Sequence, residues 1–203
     1  MKKTKTSRAK IINNTKWANK NKDRVKQYKA KYKSKNKKLA RKLIQDIEIK
    51  SKCKYCQESR SYCLDFHHKK PSNKKDTVSN LVRQGYAIKT ILKEIKKCDI
   101  ICSNCHRKQH CNEYPYLTKK AKYVLEIKQQ SKCTKCGESN TECLDFHHID
   151  DSKKTEGIGV MLRDTKYTLD MVKLEINKCI VLCSNCHREE HYKITPEGFE
   201  PPT

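Results

Sequence analysis

The sequence has no apolar run approaching the ~20 residues that span a bilayer. Its first residues, MKKTKTSRAK, show no secretory pattern, and Ile11-Ile12 is the only early apolar pair. No membrane partner is expected, and the expected location is cytoplasmic. Hydrophobic residues make up only 35% of 203, too few for one large core, and small domains usually lean on disulfides or metals. Acidic residues are scarce at the start: residues 1–46 hold 18 Lys/Arg against Asp23 and Asp46, a net of +16, while residues 47–203 hold 29 against 21. Glycine and proline are missing between Trp17 and Leu43, which leaves a helix open there.

A formal net charge of +24 is the footprint of a polyanion binder, with nucleic acid the first candidate. Residues 1–46 read as a basic arm. Tyr28 and Tyr32, four apart, would share one helix face. Repulsion among the lysines favours order only on binding, so the arm is expected to be helical or disordered. Lys26, Lys29 and Lys33 are its candidate phosphate contacts; a solubilising tail is the plainer reading.

Thirteen cysteines are present. In a reducing compartment, clustered cysteines bind metal more often than they cross-link. They mark an internal repeat. The stretch CLDFHH occurs at Cys63–His68 and again at Cys143–His148. Cys53, Cys56, Cys63, His67 and His68 recur 80 positions later, and Cys98, Cys102, Cys105, His106 and His110 recur 81 positions later. All eight histidines belong to this set, and only Cys111 lacks a counterpart. Each copy predicts one order: a Cys-x-x-Cys turn, a short strand, a variable loop, a helix, an apolar strand, and CSNCHR opening a last short helix. Ile88, Ile91, Leu92 and Ile95, and in the second copy Leu169, Val172 and Ile176, fall at helical spacing. The expected organisation is an arm (1–46), copies at 47–114 and 123–193, a linker (115–122) with Pro115, and a disordered tail (194–203).

Two Cys-x-x-Cys turns facing each other supply a closed tetrahedral zinc site. Cys53, Cys56, Cys102 and Cys105 would hold one structural Zn2+, and Cys133, Cys136, Cys183 and Cys186 the other; an iron–sulfur cluster is the rival. Cys63, Cys98, Cys143 and Cys179 read as small buried residues rather than ligands. His106 and His110 are four apart, a spacing that suits metal ligation on one helix face. His67 and His68 are strand neighbours and point to opposite faces. One can ligate while the other stays free as a general base.

The combination of Cys-x-x-Cys, LDFHH and LCSNCHREEH resembles the HNH endonuclease family, common in bacteriophages and mobile elements. The likeness covers about 47–111 and 123–192. It implies an α+β fold of two tandem ββα-metal, treble-clef-like domains braced by zinc, in a bacterial or phage-infected cell. It implies DNA as partner, with hydrolysis leaving 5′-phosphate and 3′-hydroxyl ends. His68 and His148 would be general bases. His67, His106 and His110, and His147, His187 and His191, would hold a catalytic divalent metal (Mn2+, Ni2+, Zn2+ or Mg2+). Arg107 and Arg188 would grip a phosphate, plain surface charge being the alternative. Many relatives have Asp where His67 and His147 stand, and an all-imidazole set favours transition metals over magnesium. The family's asparagine has no clear match: Asn177 stands near its place in copy two, but Lys96 in copy one, so Asn104 and Asn185 are the alternatives. The competing functional reading is a zinc-finger DNA-binding protein without catalysis, its histidines forming further structural zinc sites.

Overall fold

In the computed structural model, which describes residues 15–110 and 118–194, the sequence repeat becomes a repeat of elements. Helix α1 (Lys22–Ile49) carries the arm into copy one. Strand β1 (Leu64–His68), helices α2 (Val78–Gln84) and α3 (Ile88–Ile95), strand β2 (Cys98–Cys102) and helix α4 (Ser103–Gln109) follow. Copy two gives α5 (Lys119–Gln129), β3 (Leu144–His148), α6 (Ile158–Arg163), α7 (Leu169–Ile176), β4 (Cys179–Cys183) and α8 (Ser184–Ile194). The class is α+β, with β1 paired to β2 and β3 paired antiparallel to β4. His148 stands opposite Cys179, and Leu144 opposite Cys183.

Local chemistry sets the element ends. Thr77, Thr118 and Thr168 cap α2, α5 and α7, each side chain accepting a backbone N–H three residues on. Residues 118–122, expected as linker, thus supply the cap and first turn of α5. Cys111, Pro115, residues 1–14 and the tail from 195 lie outside the described residues.

The chain forms two compact units, Met1–Asp46 with His68–Cys98 and Ile47–His67 with Asp99–Thr203. In the first, the arm is helical and anchored. Asn36 and Ala40 are buried, and Asn36 Nδ2 donates to the Gly85 carbonyl at 3.1 Å. Gly85 ends α2 at φ 73°, and a Cβ there would lie 2.9 Å from Lys33 Cβ, so only glycine suits the contact. The Tyr28 and Tyr32 rings stack on one exposed helix face, centroids 6.5 Å apart.

In the second unit the apolar residues form small separate clusters. Val124, Ile158, Met161, Tyr167, Val172 and Ile176 make one, with Phe146 against it. The others are built around cysteines: Leu144 and Leu182 with Cys133, Cys143, Cys183 and Cys186, and Leu64 and Ile101 with Cys53 and Cys102. No helix among the described residues is long and apolar enough to cross a membrane.

Candidate metal centres

The four turn cysteines of each copy come from its two ends. Cys53 and Cys56 follow α1, Cys102 closes β2, and Cys105 lies in the first turn of α4. Their sulfurs all lie within 4.8 Å of one another, as do those of Cys133, Cys136, Cys183 and Cys186. Cys56 and Cys102 are 3.5 Å apart, and Cys136 and Cys183 3.6 Å. Zinc–thiolate bonds of about 2.3 Å imply tetrahedral S···S edges of about 3.8 Å. Each group therefore fits a structural zinc ion. The backbone builds the turn: Cys53 N–H donates to Glu58 O at 2.8 Å, and Gln57 N–H to Cys53 O at 3.1 Å. Burial pushes the Cys53 thiol up, but hydrogen bonds from the backbones of Cys56, Cys102 and Tyr55 outweigh it and bring it to about 7. Cys133 behaves alike. A thiol so placed ionises readily to the ligand form.

Cys63, Cys98, Cys143 and Cys179 lie outside both groups. Their thiols donate to backbone carbonyls instead: Cys98 to Glu94 and Cys179 to Glu175, both at 3.4 Å.

The histidines also separate. His67, His106 and His110 converge, with ring centroids 5.0–5.1 Å apart. His147, His187 and His191 do the same in copy two, and the Nε2 atoms of His187 and His191 face each other at 3.1 Å. Two imidazole nitrogens in that position need a proton or an ion between them. Burial, then the neighbouring imidazoles, lowers the pKa of His147 and His191, which favours the neutral, metal-binding form.

His68 and His148 join neither group. His68 is 9% exposed and its Nε2 lies 3.0 Å from Glu94 Oε1. His148 is 7% exposed, 2.8 Å from Glu175 Oε1. Both carboxylates are buried. Glu94 also accepts from Lys75 N–H and Lys97 Nζ at 2.8 Å, and Glu175 from Thr155 N–H and Lys178 Nζ at 2.7 Å. Burial pushes Glu94 up, but Lys97, the Lys75 N–H and His68 outweigh it and hold it at about 2 against an ordinary 4.5, as for Glu175. A carboxyl depressed on folding stabilises fully above its unfolded pKa and loses that contribution as pH falls through the folded one. Stability should therefore drop between pH 4.5 and 2, by up to about 3 kcal/mol per site. In urea melts, Glu94→Gln/Glu175→Gln should flatten that acid limb; an unchanged slope would contradict the pairing.

The copies also grip each other. The Asn104 N–H donates to Asn185 Oδ1 and the Asn185 N–H to Asn104 Oδ1, both at 3.2 Å. Cys63 Sγ donates to the Asn185 carbonyl and Cys143 Sγ to the Asn104 carbonyl, both at 3.4 Å. Arg107 binds Asp145 through Nη1 at 2.9 Å and Nη2 at 2.8 Å, and Arg188 binds Asp65 at 3.0 and 3.1 Å. Each of these contacts has its mirror, the mark of a two-fold relation. Asp65 in turn bonds His106 Nδ1 at 3.1 Å, and Asp145 lies 3.5 Å from His187 Nδ1. Burial pushes Asp65 up, but His106 and Arg188 outweigh it and hold it low. The arginines expected on phosphate thus already have carboxylate partners. Asn104 and Asn185, open candidates in the sequence, are the seam between the copies.

Asp65, Asp145, Glu94 and Glu175 were missed from sequence as parts of the site. The signal was available: each recurs at the repeat interval, beside or facing the histidines. No family model matches the chain, and no curated protein or solved structure matches it.

Proposed function

We propose that the chain is an HNH-type, metal-dependent endonuclease with two centres that hydrolyses DNA phosphodiesters to 5′-phosphate and 3′-hydroxyl ends. The observation that carries this reading is the pair of three-imidazole groups, each followed directly in the chain by a carboxylate-held histidine. His67, His106 and His110 would hold one divalent ion and His147, His187 and His191 the other, a donor set suited to Mn2+, Ni2+ or Zn2+ more than Mg2+. Such an ion neutralises the scissile phosphate and the departing 3′ oxygen. Glu94 holds Nε2–H of His68, which leaves Nδ1 to take the proton of the attacking water. Glu175 does this for His148. A two-fold relation of the histidine groups would suit the antiparallel strands of a duplex substrate.

A second reading draws on one specific observation. His68 and His148 are nearly enclosed, as braces without catalysis would be, and the protein would then only bind DNA. Supercoiled plasmid at low salt with each metal separates the two. The nuclease reading expects cleavage by wild type and none by His67→Ala/His147→Ala. An intact plasmid under every metal favours the binding protein.

The crossed arginines add an expectation. Arg188→Ala should weaken ion binding at His67, His106 and His110, and Arg107→Ala at His147, His187 and His191. The size is about tenfold, at the low end for outer-shell changes. Nickel calorimetry on chains with the other histidine group disabled measures it. Loss on the arginine's own copy would contradict the crossing.

A further inference from the structure

We propose that nucleic acid docks asymmetrically, its phosphates gripped by the unit of the arm helix and the copy-one insert, while the equivalent insert of copy two takes no part. This rests on nucleic acid being the partner. It adds which surface makes the contact and that the two-fold of the centres does not extend to the grip.

The charge is divided almost completely between the units. Residues 1–46 and 68–98 hold 27 Lys/Arg against 4 Asp/Glu, a net of +23, out of +24 for the whole chain. Within them the insert, 68–98, holds nine against two. Its equivalent in copy two, 148–179, holds six against six, a net of zero. The fold does not demand this difference. The interior positions match: Val78 with Ile158, Ile91 with Val172, Glu94 with Glu175, all buried. The divergence is on the exterior. Lys70, Lys89, Lys93 and Lys96 stand where copy two has Asp150, Asp170, Leu174 and Asn177.

The lysines also differ in company. Lys70, Lys89, Lys93 and Lys96 are exposed. Among the described residues none of the four makes an ion pair, whereas copy two neutralises its own: Lys153 with Asp150 at 3.4 Å, Lys166 with Asp164 at 3.2 Å, Lys173 with Asp170 at 3.1 Å. Lys89 and Lys93 lie one turn apart on α3, with Lys96 at its end, on the side away from buried Ile91 and Glu94. On α1, Lys22, Lys26, Lys29 and Lys33 repeat at helical spacing and are exposed. Unpaired ammonium groups in rows release counterions from a phosphate backbone; lysines already paired release few.

The test uses the full chain and a fluorescent 30-base-pair duplex, with no divalent metal added beyond bound zinc, across a salt series. Lys70→Gln/Lys89→Gln/Lys93→Gln/Lys96→Gln is compared with Lys153→Gln/Lys154→Gln/Lys166→Gln/Lys173→Gln. Seven of the eight side chains are exposed and Lys173 is half-buried, and circular dichroism checks both folds. The copy-one variant should bind about tenfold more weakly or worse, and its log–log salt slope should shrink by about 3. The copy-two variant should stay within about twofold of wild type. Equal losses, or a copy-one variant that binds as wild type does, overturn the asymmetry while leaving nucleic acid as partner. A wild type that binds neither duplex, single strand nor RNA overturns both.

Discussion

Stripping zinc from the cysteine groups is expected to unfold the chain around them rather than loosen it. The interior there is very small: Leu64 and Ile101 are the buried apolar residues that accompany Cys53 and Cys102. Structural zinc contributes about 10–16 kcal/mol in finger peptides, against about 5–15 kcal/mol of net stability for a whole domain. Cys102 stands where β2 turns into α4, so Cys102→Ser removes a ligand and the join between elements. It should abolish cooperative melting of copy one and halve the thiolate-held zinc, from two ions per chain to one. Cys98→Ser is the control. Its thiol donates to the Glu94 carbonyl, an interaction a hydroxyl can replace, and zinc content should not change. Metal analysis with thermal melts checks both. A Cys102→Ser chain that keeps two thiolate-held zinc ions would contradict the assignment.

The second large effect separates two adjacent histidines. His67→Ala should lose the ion of copy one, and its cleavage with it. His68→Ala should keep ion affinity within a few-fold, because His68 is bonded to Glu94 and stands outside the ligand group. Its turnover should still fall about 10²–10⁴-fold, the usual worth of a positioned base. The measurement pairs nickel calorimetry with single-turnover cleavage, on a background carrying His147→Ala so that copy two is silent. Equal loss of ion binding in both variants would make His68 a ligand; unimpaired cleavage in His68→Ala would leave it a brace.

Much of this was legible because metal ligands are periodic in sequence and few residue types can serve. The cysteine groups follow from spacing, the histidine triples from spacing together with the family resemblance, and the structure brings each together. The helices at Ile88 and Leu169 follow from apolar period. The role of the Asp in LDFHH did not. Asp65 serves copy one's His106 and copy two's Arg188 at once, and a contact 123 residues away leaves no local pattern. The arginines read as phosphate contacts for the same reason: a basic residue beside a ligand looks alike in sequence whether it faces solvent or a partner carboxylate. Glu94 and Glu175 were hidden by a rule that usually holds, that acidic residues on a helix face water.

The most direct measurement follows supercoiled plasmid through nicked to linear form with manganese or nickel, for wild type, His67→Ala and His147→Ala. Two centres related by the Asn104–Asn185 seam should let one molecule cut both strands. Wild type should then yield linear plasmid at limiting enzyme, and each single variant should stop at the nicked circle. Plasmid that stays supercoiled with wild type, or single variants that linearise it as fast as wild type, would contradict paired catalytic centres.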